Sequence, residues 1–353
     1  MKLGLIGLPQ AGKHTLFQLL TGNNGSNGHK NNGLGLAKVR DERFDRLVEM
    51  YLPRKETPAF VEFALLPDLG QQSQGDAQIL QALEEVDVIC HLVRAFEDER
   101  VFHIEGSVSP ERDIRRLNEE LQLRDLLLIE KRLERLEKER RIKNETRAAL
   151  ERDLMDRMKD HIEAGHFLRS YPFTEEEAKL ILSYPLLTRK PLLVILNAGE
   201  DQMVLPEWEQ RQADRFAGQN FHWFAVSAKI EQELSLLEAA DRQVFLDHLK
   251  IRQPALDRLT LLCYRTLGLI SFFTVGPDEV RAWAVREGTA APQAGRVIHS
   301  DIERGFIRAE VMKFDDLTGI GSEQKVKDAG RLFQKGKDYL VEDGDIINFL
   351  FHI

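Results

Sequence analysis

Apolar runs of strand length punctuate the first two-thirds of this chain. Leu3-Gly4-Leu5-Ile6, Phe60-Val61-Glu62-Phe63-Ala64-Leu65-Leu66, Val86-Asp87-Val88-Ile89-Cys90-His91-Leu92-Val93 and Pro191-Leu192-Leu193-Val194-Ile195-Leu196 predict buried strands. Near-continuous apolar runs of this kind belong to parallel sheets covered on both faces. Residues 34–39 predict a further strand and residues 221–226 the last of the set. Helices are predicted to start at Thr15, after the first strand, and to span residues 41–51. Between residues 113 and 166 the pattern changes to a highly charged stretch, with Leu126, Ile129, Leu133 and Leu136 at heptad spacing. After a polar break at Lys143-Asn144-Glu145, residues Ala149, Leu150, Leu154, Met158 and Ile162 mark a second apolar face. Two long antiparallel helices, a coiled-coil arm, are expected there, with solvated charges on the outer faces.

From about residue 253 the pattern becomes that of short strands. Ile270-Ser271-Phe272-Phe273-Thr274-Val275 and Val280-Arg281-Ala282-Trp283-Ala284-Val285 flank the turn Gly276-Pro277-Asp278. A helix near residues 295–304, a strand at 306–311 and a closing strand after Glu342-Asp343-Gly344-Asp345 complete a small mixed domain of the β-grasp kind. The expected division is therefore 1–112 with 186–252 as an α/β domain, 113–185 as a helical insertion, and 253–353 as the terminal domain.

Composition narrows the class. A chain of 353 residues accommodates two or three domains. Its net charge of −9 gives no global attraction for nucleic acid. The two cysteines, Cys90 and Cys263, lie far apart in apolar surroundings, which fits a reducing, cytoplasmic compartment rather than a disulfide scaffold. The first strand begins almost at once, leaving no room for a signal peptide, and no apolar run is long enough to span a bilayer.

The candidate chemistry lies in Gly7-Leu8-Pro9-Gln10-Ala11-Gly12-Lys13-His14-Thr15. Strand, glycine turn, Gly-Lys and helix start form the context of a phosphate-binding loop. Gln10, Ala11, Gly12, Lys13, His14 and Thr15 are the candidate phosphate contacts, with Lys13 reaching the β- and γ-phosphates. His14 stands where this loop ordinarily has a hydroxyl for Mg²⁺. Imidazole is a poor ligand for a hard, oxygen-seeking ion, so metal binding is expected to suffer, with Thr15 the remaining hydroxyl. A second group follows the later strands: Asn197-Ala198-Gly199-Glu200, then Ser227-Ala228-Lys229. Guanine-specific sites carry Asn-Lys-x-Asp at the first of these positions. Ala198 and Glu200 change both the stacking surface and the reach of the carboxylate, so loss of guanine preference is expected. Residues 22–56 contain no threonine that could sense metal and γ-phosphate. Leu65 and Asp68 occupy the positions of an Asp-x-x-Gly sensor, Asp68 standing in for the glycine, and a solvated loop carboxylate is the favoured reading of Asp68.

Several of these features together resemble the YchF group of the Obg-like ATPases nearly end to end. They are Gly7 to Lys13, Leu196-Asn197-Ala198-Gly199-Glu200, and above all Thr274-Val275-Gly276 to Trp283, Ala291-Pro292-Gln293-Ala294, Gly305-Phe306-Ile307-Arg308-Ala309 and Gly336-Lys337-Asp338-Tyr339. The resemblance implies a P-loop NTPase domain of the Ras-like, Obg type, an inserted coiled-coil arm and a terminal β-grasp TGS domain. It also implies ATP preferred over GTP, slow hydrolysis and ribosome association; a monomer is expected. Leu69 matches the hydrophobic residue that replaces the usual catalytic glutamine, and His103 matches the histidine thought to act instead. The departures at His14, at Leu65 and Asp68 and in the Asn/Gly loop predict nucleotide binding with weak or absent hydrolysis, because phosphoryl transfer depends on Mg²⁺ and positioning. The alternative is a non-hydrolysing adaptor that contacts ribosome or RNA through its arm and TGS domain, with Lys325, Lys327, Arg331, Lys335 and Lys337 as candidate RNA contacts. A small-molecule kinase shares the phosphate loop but leaves Ser227-Ala228-Lys229 and the terminal domain without a role.

Overall fold

The computed structural model describes residues 1–22, 33–69, 73–140, 146–203, 205–217, 221–248 and 253–352. Most of the Asn/Gly loop, residues 23–32, lies outside these. The chain forms two compact units, Met1–Gly35 with Glu62–Leu256, and Leu36–Val61 with Asp257–Ile353. Its strands in chain order are β1 (Lys2–Ile6), β2 (Leu34–Lys38), β3 (Lys55–Thr57), β4 (Phe60–Leu65), β5 (Val88–Arg94) and β6 (Leu192–Asn197). They continue as β7 (His222–Val226), β8 (Leu269–Thr274), β9 (Glu279–Arg286), β10 (Phe306–Lys313), β11 (Phe333–Lys335) and β12 (Asp345–Phe351).

The first sheet has the order β2-β4-β1-β5-β6-β7. β1 pairs in parallel with β4 on one side and β5 on the other, and the parallel pairing continues to β6 and β7. Every residue of β5 and β6 is buried, as their apolar sequences require. The strand order reverses at β1, so the crevice beyond its carboxyl end is the natural ligand site of an open α/β sheet. Helix α1 (Lys13–Thr21) starts from that crevice.

Between β5 and β6 run α4 (Pro110–Arg140) and α5 (Thr146–Glu163), preceded in the chain by α2 (Glu42–Tyr51) and α3 (Ser73–Glu84). The first turns of α4 do not belong to an arm. Ile114, Leu117 and Leu121 join the core of the sheet with Ile89, Val93 and Leu196. The arm proper has its own core, in which Ile129 and Leu136 meet Leu154, Met155, Met158 and Ile162. Cross-helix pairs Arg132–Glu151 and Lys159–Glu130 establish the antiparallel register. Two expected seam positions are corrected: Leu150 and Ala149 are exposed, and Ala148 and Met155 pack instead. Steps of four residues drift by about 40° each on a 3.6-residue helix, so a seam extrapolated from Ile162 back to Leu150 leaves the buried face. Asp125, fully buried on α4, accepts the backbone N–H groups of Leu187 and Thr188, both at 2.8 Å, and anchors the returning chain.

The second unit holds a mixed sheet in the order β11-β10-β12-β8-β9-β3. β8 and β9 form the expected antiparallel hairpin, β12 lies parallel to β8, and Ala291 and Ala294 pack a helix against Phe272, Phe306 and Phe349. The single helix expected at 295–304 is two, Ala291–Ile298 and Ser300–Arg304, divided at His299, whose backbone is extended and whose Nδ1 accepts the Asp301 N–H to cap the second. β3 was not anticipated: Lys55, Glu56 and Thr57 pair in parallel with Glu279, Val280 and Arg281. Arg43 of α2 also belongs to this unit, bonding both Asp41 and Asp343. α2 and β3, expected in the first domain, therefore group with the terminal unit.

Candidate phosphate-binding site

The turn after β1 is shaped by close approaches. Gly7 lies against the carbonyl oxygen of Leu92, and a Cβ there would collide with it. Gln10 adopts a left-handed φ of 63°, and Gly12 follows at 91°. A Cβ on Gly12 would run into the Asn197 side-chain amide. α1 then begins at Lys13 with no side-chain cap. The N–H groups of Lys13, His14 and Thr15 open the helix, where first-turn donors lack intrahelical acceptors and carry the positive end of the dipole. Backbone donors, an ammonium and two glycines with no room for a Cβ are the groups that a phosphate cradle uses.

Asn197, at the end of β6, holds this turn. Its Nδ2 donates to the Ala11 carbonyl at 2.9 Å and its Oδ1 accepts the Ala228 N–H at 3.0 Å. The two sequence segments read as one site are thus joined by one buried side chain. Ser227 caps the following helix, Ala228–Leu236, by accepting the Ile230 N–H. Glu200 and the exposed Lys229 face each other at 4.0 Å on the same rim. His14 is exposed and Thr15 half-buried.

Lys13 is 3% exposed. Its ammonium donates to the Leu66 carbonyl at 2.6 Å and pairs with Asp68 Oδ1 at 2.8 Å. Burial pulls its pKa below the usual lysine range, and the Asp68 carboxylate opposes that shift. Asp68 is therefore not the solvated loop carboxylate expected of it. An acid in a glycine position next to a phosphate loop was the available signal, but its partner lies far away in the chain. The following residue, Leu69, donates its N–H to the Gly7 carbonyl at 3.1 Å and packs in the core with Leu8.

His91 is fully buried on β5. Among the described residues neither ring nitrogen has a hydrogen-bond partner. Burial, then the nearby Lys13 charge, pushes its pKa down to about 3, so it is neutral. His103 sits in the loop after β5, which Arg94 organises by donating to the carbonyls of Phe96, Val101 and Asp98. His103 Nδ1 accepts the Glu105 N–H at 3.1 Å, and Nε2 lies 3.3 Å from the buried Asp113 carboxylate. These partners assign the proton of the neutral ring to Nε2. Both nitrogens are thereby engaged, and none of the contacts joins His103 to Lys13 or to its turn.

The donor set does not fit a tightly held Mg²⁺. No group of three His, Cys, Asp or Glu side chains among the described residues could hold a metal. At the turn, Thr15 offers a hydroxyl, His14 an imidazole, and the Asp68 carboxylate is drawn to Lys13.

Comparisons with known proteins agree with this architecture. The family model YchF-GTPase_C, described as "Protein of unknown function (DUF933)", matches residues 269–352. "Ribosome-binding ATPase YchF" of Bacillus subtilis is 38% identical over 362 residues, covering 99% of each chain. "Obg-like ATPase 1" of Rattus norvegicus is 37% identical over 373 residues, covering 100% of this chain and 92% of its own. The solved YchF GTPase of Schizosaccharomyces pombe superposes with a TM-score of 0.85 at 29% identity, covering 99% of this chain and 97% of that one. A GTP binding protein from Pyrococcus horikoshii shares the fold, with a TM-score of 0.62 at 15% identity. With relatives above 30% identity matched over nearly the whole of both chains, and a solved YchF structure superposing over 99% of it, this chain belongs to the YchF/Obg-like ATPase family.

Proposed function

We propose that this chain binds adenine nucleotide through the turn between β1 and α1, prefers ATP to GTP, and hydrolyses it slowly or not at all while associating with the ribosome. The observation that carries this reading is the Asn197 clamp, which joins the Lys13 turn to the Ser227-Ala228-Lys229 loop. In this reading Gln10, Ala11, Gly12, Lys13, His14 and Thr15 hold the phosphates. Asn197, Glu200, Ser227, Ala228 and Lys229 form the base side, where Ala198 and Glu200 replace the residues that select guanine. Thr15 supplies a hydroxyl for any Mg²⁺ carried in with the nucleotide. His103 is the candidate for orienting water, and its contacts with Glu105 and Asp113 must open before either nitrogen can act.

The division into NTPase domain, arm and TGS domain, the monomeric state and a cytoplasmic location belong to the same reading. No helix among the described residues is long and apolar enough to cross a membrane. Ribosome association is supported by the relatives named ribosome-binding ATPases, with the arm and the basic residues Lys325, Lys327, Arg331, Lys335 and Lys337 as candidate contacts. The adaptor alternative, nucleotide-bound but without turnover, is favoured by the Asp68 carboxylate on Lys13. Titration calorimetry with ATP and GTP, with and without Mg²⁺, beside a phosphate-release assay tests the proposal. ATP binding that exceeds GTP binding and depends weakly on Mg²⁺, with little release, is expected. Robust Mg²⁺-dependent turnover overturns it.

A further inference from the structure

The Lys13–Asp68 pair bears directly on which nucleotide the turn accepts. A lysine ammonium has three N–H donors. Lys13 directs one to the Leu66 carbonyl at 2.6 Å and one to Asp68 Oδ1 at 2.8 Å. Among the described residues the third N–H meets no acceptor, and it remains for a phosphate oxygen. The lysine of a phosphate loop ordinarily serves both the β- and the γ-phosphate. A nucleoside diphosphate needs a single donor here, and the third N–H can supply it. A triphosphate needs the donor that Asp68 holds and brings its γ-phosphate charge next to that carboxylate. Water screens this repulsion poorly, because the Lys13 side chain is 2% exposed and that of Asp68 only 24%. The position of Asp68 reinforces the point. The Asp-x-x-Gly pattern has a glycine there, with no side chain to compete for the lysine.

We propose that Asp68 sets the phosphate count of this site: its carboxylate holds Lys13 in the place of a γ-phosphate, so that the turn takes a nucleoside diphosphate in preference to the triphosphate. This rests on the reading of the turn as a nucleotide site and adds a selectivity that the family pattern does not carry.

The test is titration calorimetry of the full chain with ADP and with ATP, each in EDTA and in Mg²⁺. The proteins are the parent, Asp68→Asn, which keeps the shape and removes the charge, and Asp68→Gly, which removes the side chain. The parent is expected to bind ADP about tenfold or more tighter than ATP, a ratio equivalent to moving one charge contact. Both variants are expected to shift the ATP/ADP affinity ratio about tenfold towards ATP, mainly by tightening ATP. Equal ADP and ATP affinities in the parent, or an unchanged ratio in both variants while the nucleotides still bind, overturn this inference and leave the nucleotide reading standing. Weaker ATP binding by Asp68→Asn in Mg²⁺ but not in EDTA also overturns it, because the carboxylate would then be a metal ligand. Failure of the parent to bind either nucleotide overturns both.

Discussion

Replacing Asn197 by alanine should weaken the first unit and its nucleotide site together. Asn197 is 4% exposed and makes two hydrogen bonds, to the Ala11 carbonyl at 2.9 Å and from the Ala228 N–H at 3.0 Å. Truncation removes both partners at once. Ala11 is 1% exposed and Ala228 5%, so water does not readily replace the lost amide. An orphaned buried donor or acceptor costs about 1–3 kcal/mol, so two give about 2–6 kcal/mol, and partial collapse of the turn brings the expectation to about 2–4 kcal/mol. Asn197→Asp is a sharper probe. It keeps the acceptor for Ala228 but sets an oxygen against the Ala11 carbonyl, and it should be at least as damaging at neutral pH. Urea unfolding followed by tryptophan fluorescence in a Trp283→Phe background reads the first unit, because Trp208 and Trp223 both lie there. Nucleotide affinity measured on the same proteins should fall about tenfold or more as the turn loses its clamp. A stability loss under about 0.5 kcal/mol with unchanged nucleotide affinity would refute the reasoning, because the two bonds would then do no more than surface contacts.

Two further substitutions test other parts of the account. His91 is buried neutral with its pKa pushed down to about 3, so the unfolded chain takes up its proton first as pH falls below the ordinary histidine value. The parent should therefore lose about 1.4 kcal/mol between pH 8 and pH 5.5 from this residue alone, and His91→Leu should remove that part of the pH dependence in denaturant titrations. A parallel pH profile in the variant would contradict the assignment. Asp125→Ala should cost about 3 kcal/mol, because it strips the Leu187 and Thr188 N–H groups and the Thr188 hydroxyl of their buried acceptor. Hydrogen exchange should show the loss first at residues 186–188, and unchanged protection there would show that Asp125 does not anchor the arm.

The phosphate turn and the buried strands around it were legible because each depends on local pattern. β5 and β6 are continuous apolar runs, and the switch from strand to helix at Gly12-Lys13 falls within a few residues. The Asn197 segment was legible for the same reason, as a polar residue ending a buried strand. What escaped notice depends on partners far away in the chain. β3 is three polar residues whose strand character comes from pairing with β9, more than two hundred positions later. Asp68 reads as a loop acid in the sequence because its partner Lys13 is distant in the chain. The arm was legible as a pair of helices, but the placement of Leu150 failed because four-residue spacing was followed too far along a 3.6-residue helix.

If the turn from Gly7 to Thr15 holds the phosphate tail of an adenine nucleotide, its buried ammonium is indispensable to binding. Lys13→Ala, titrated with ADP and ATP by calorimetry beside the parent chain, tests it most directly. Truncation removes the one ammonium buried in that turn, so affinity for both nucleotides should fall about a hundredfold or more, with the protein still folded. Nucleotide binding of parental strength in the folded variant would contradict the account.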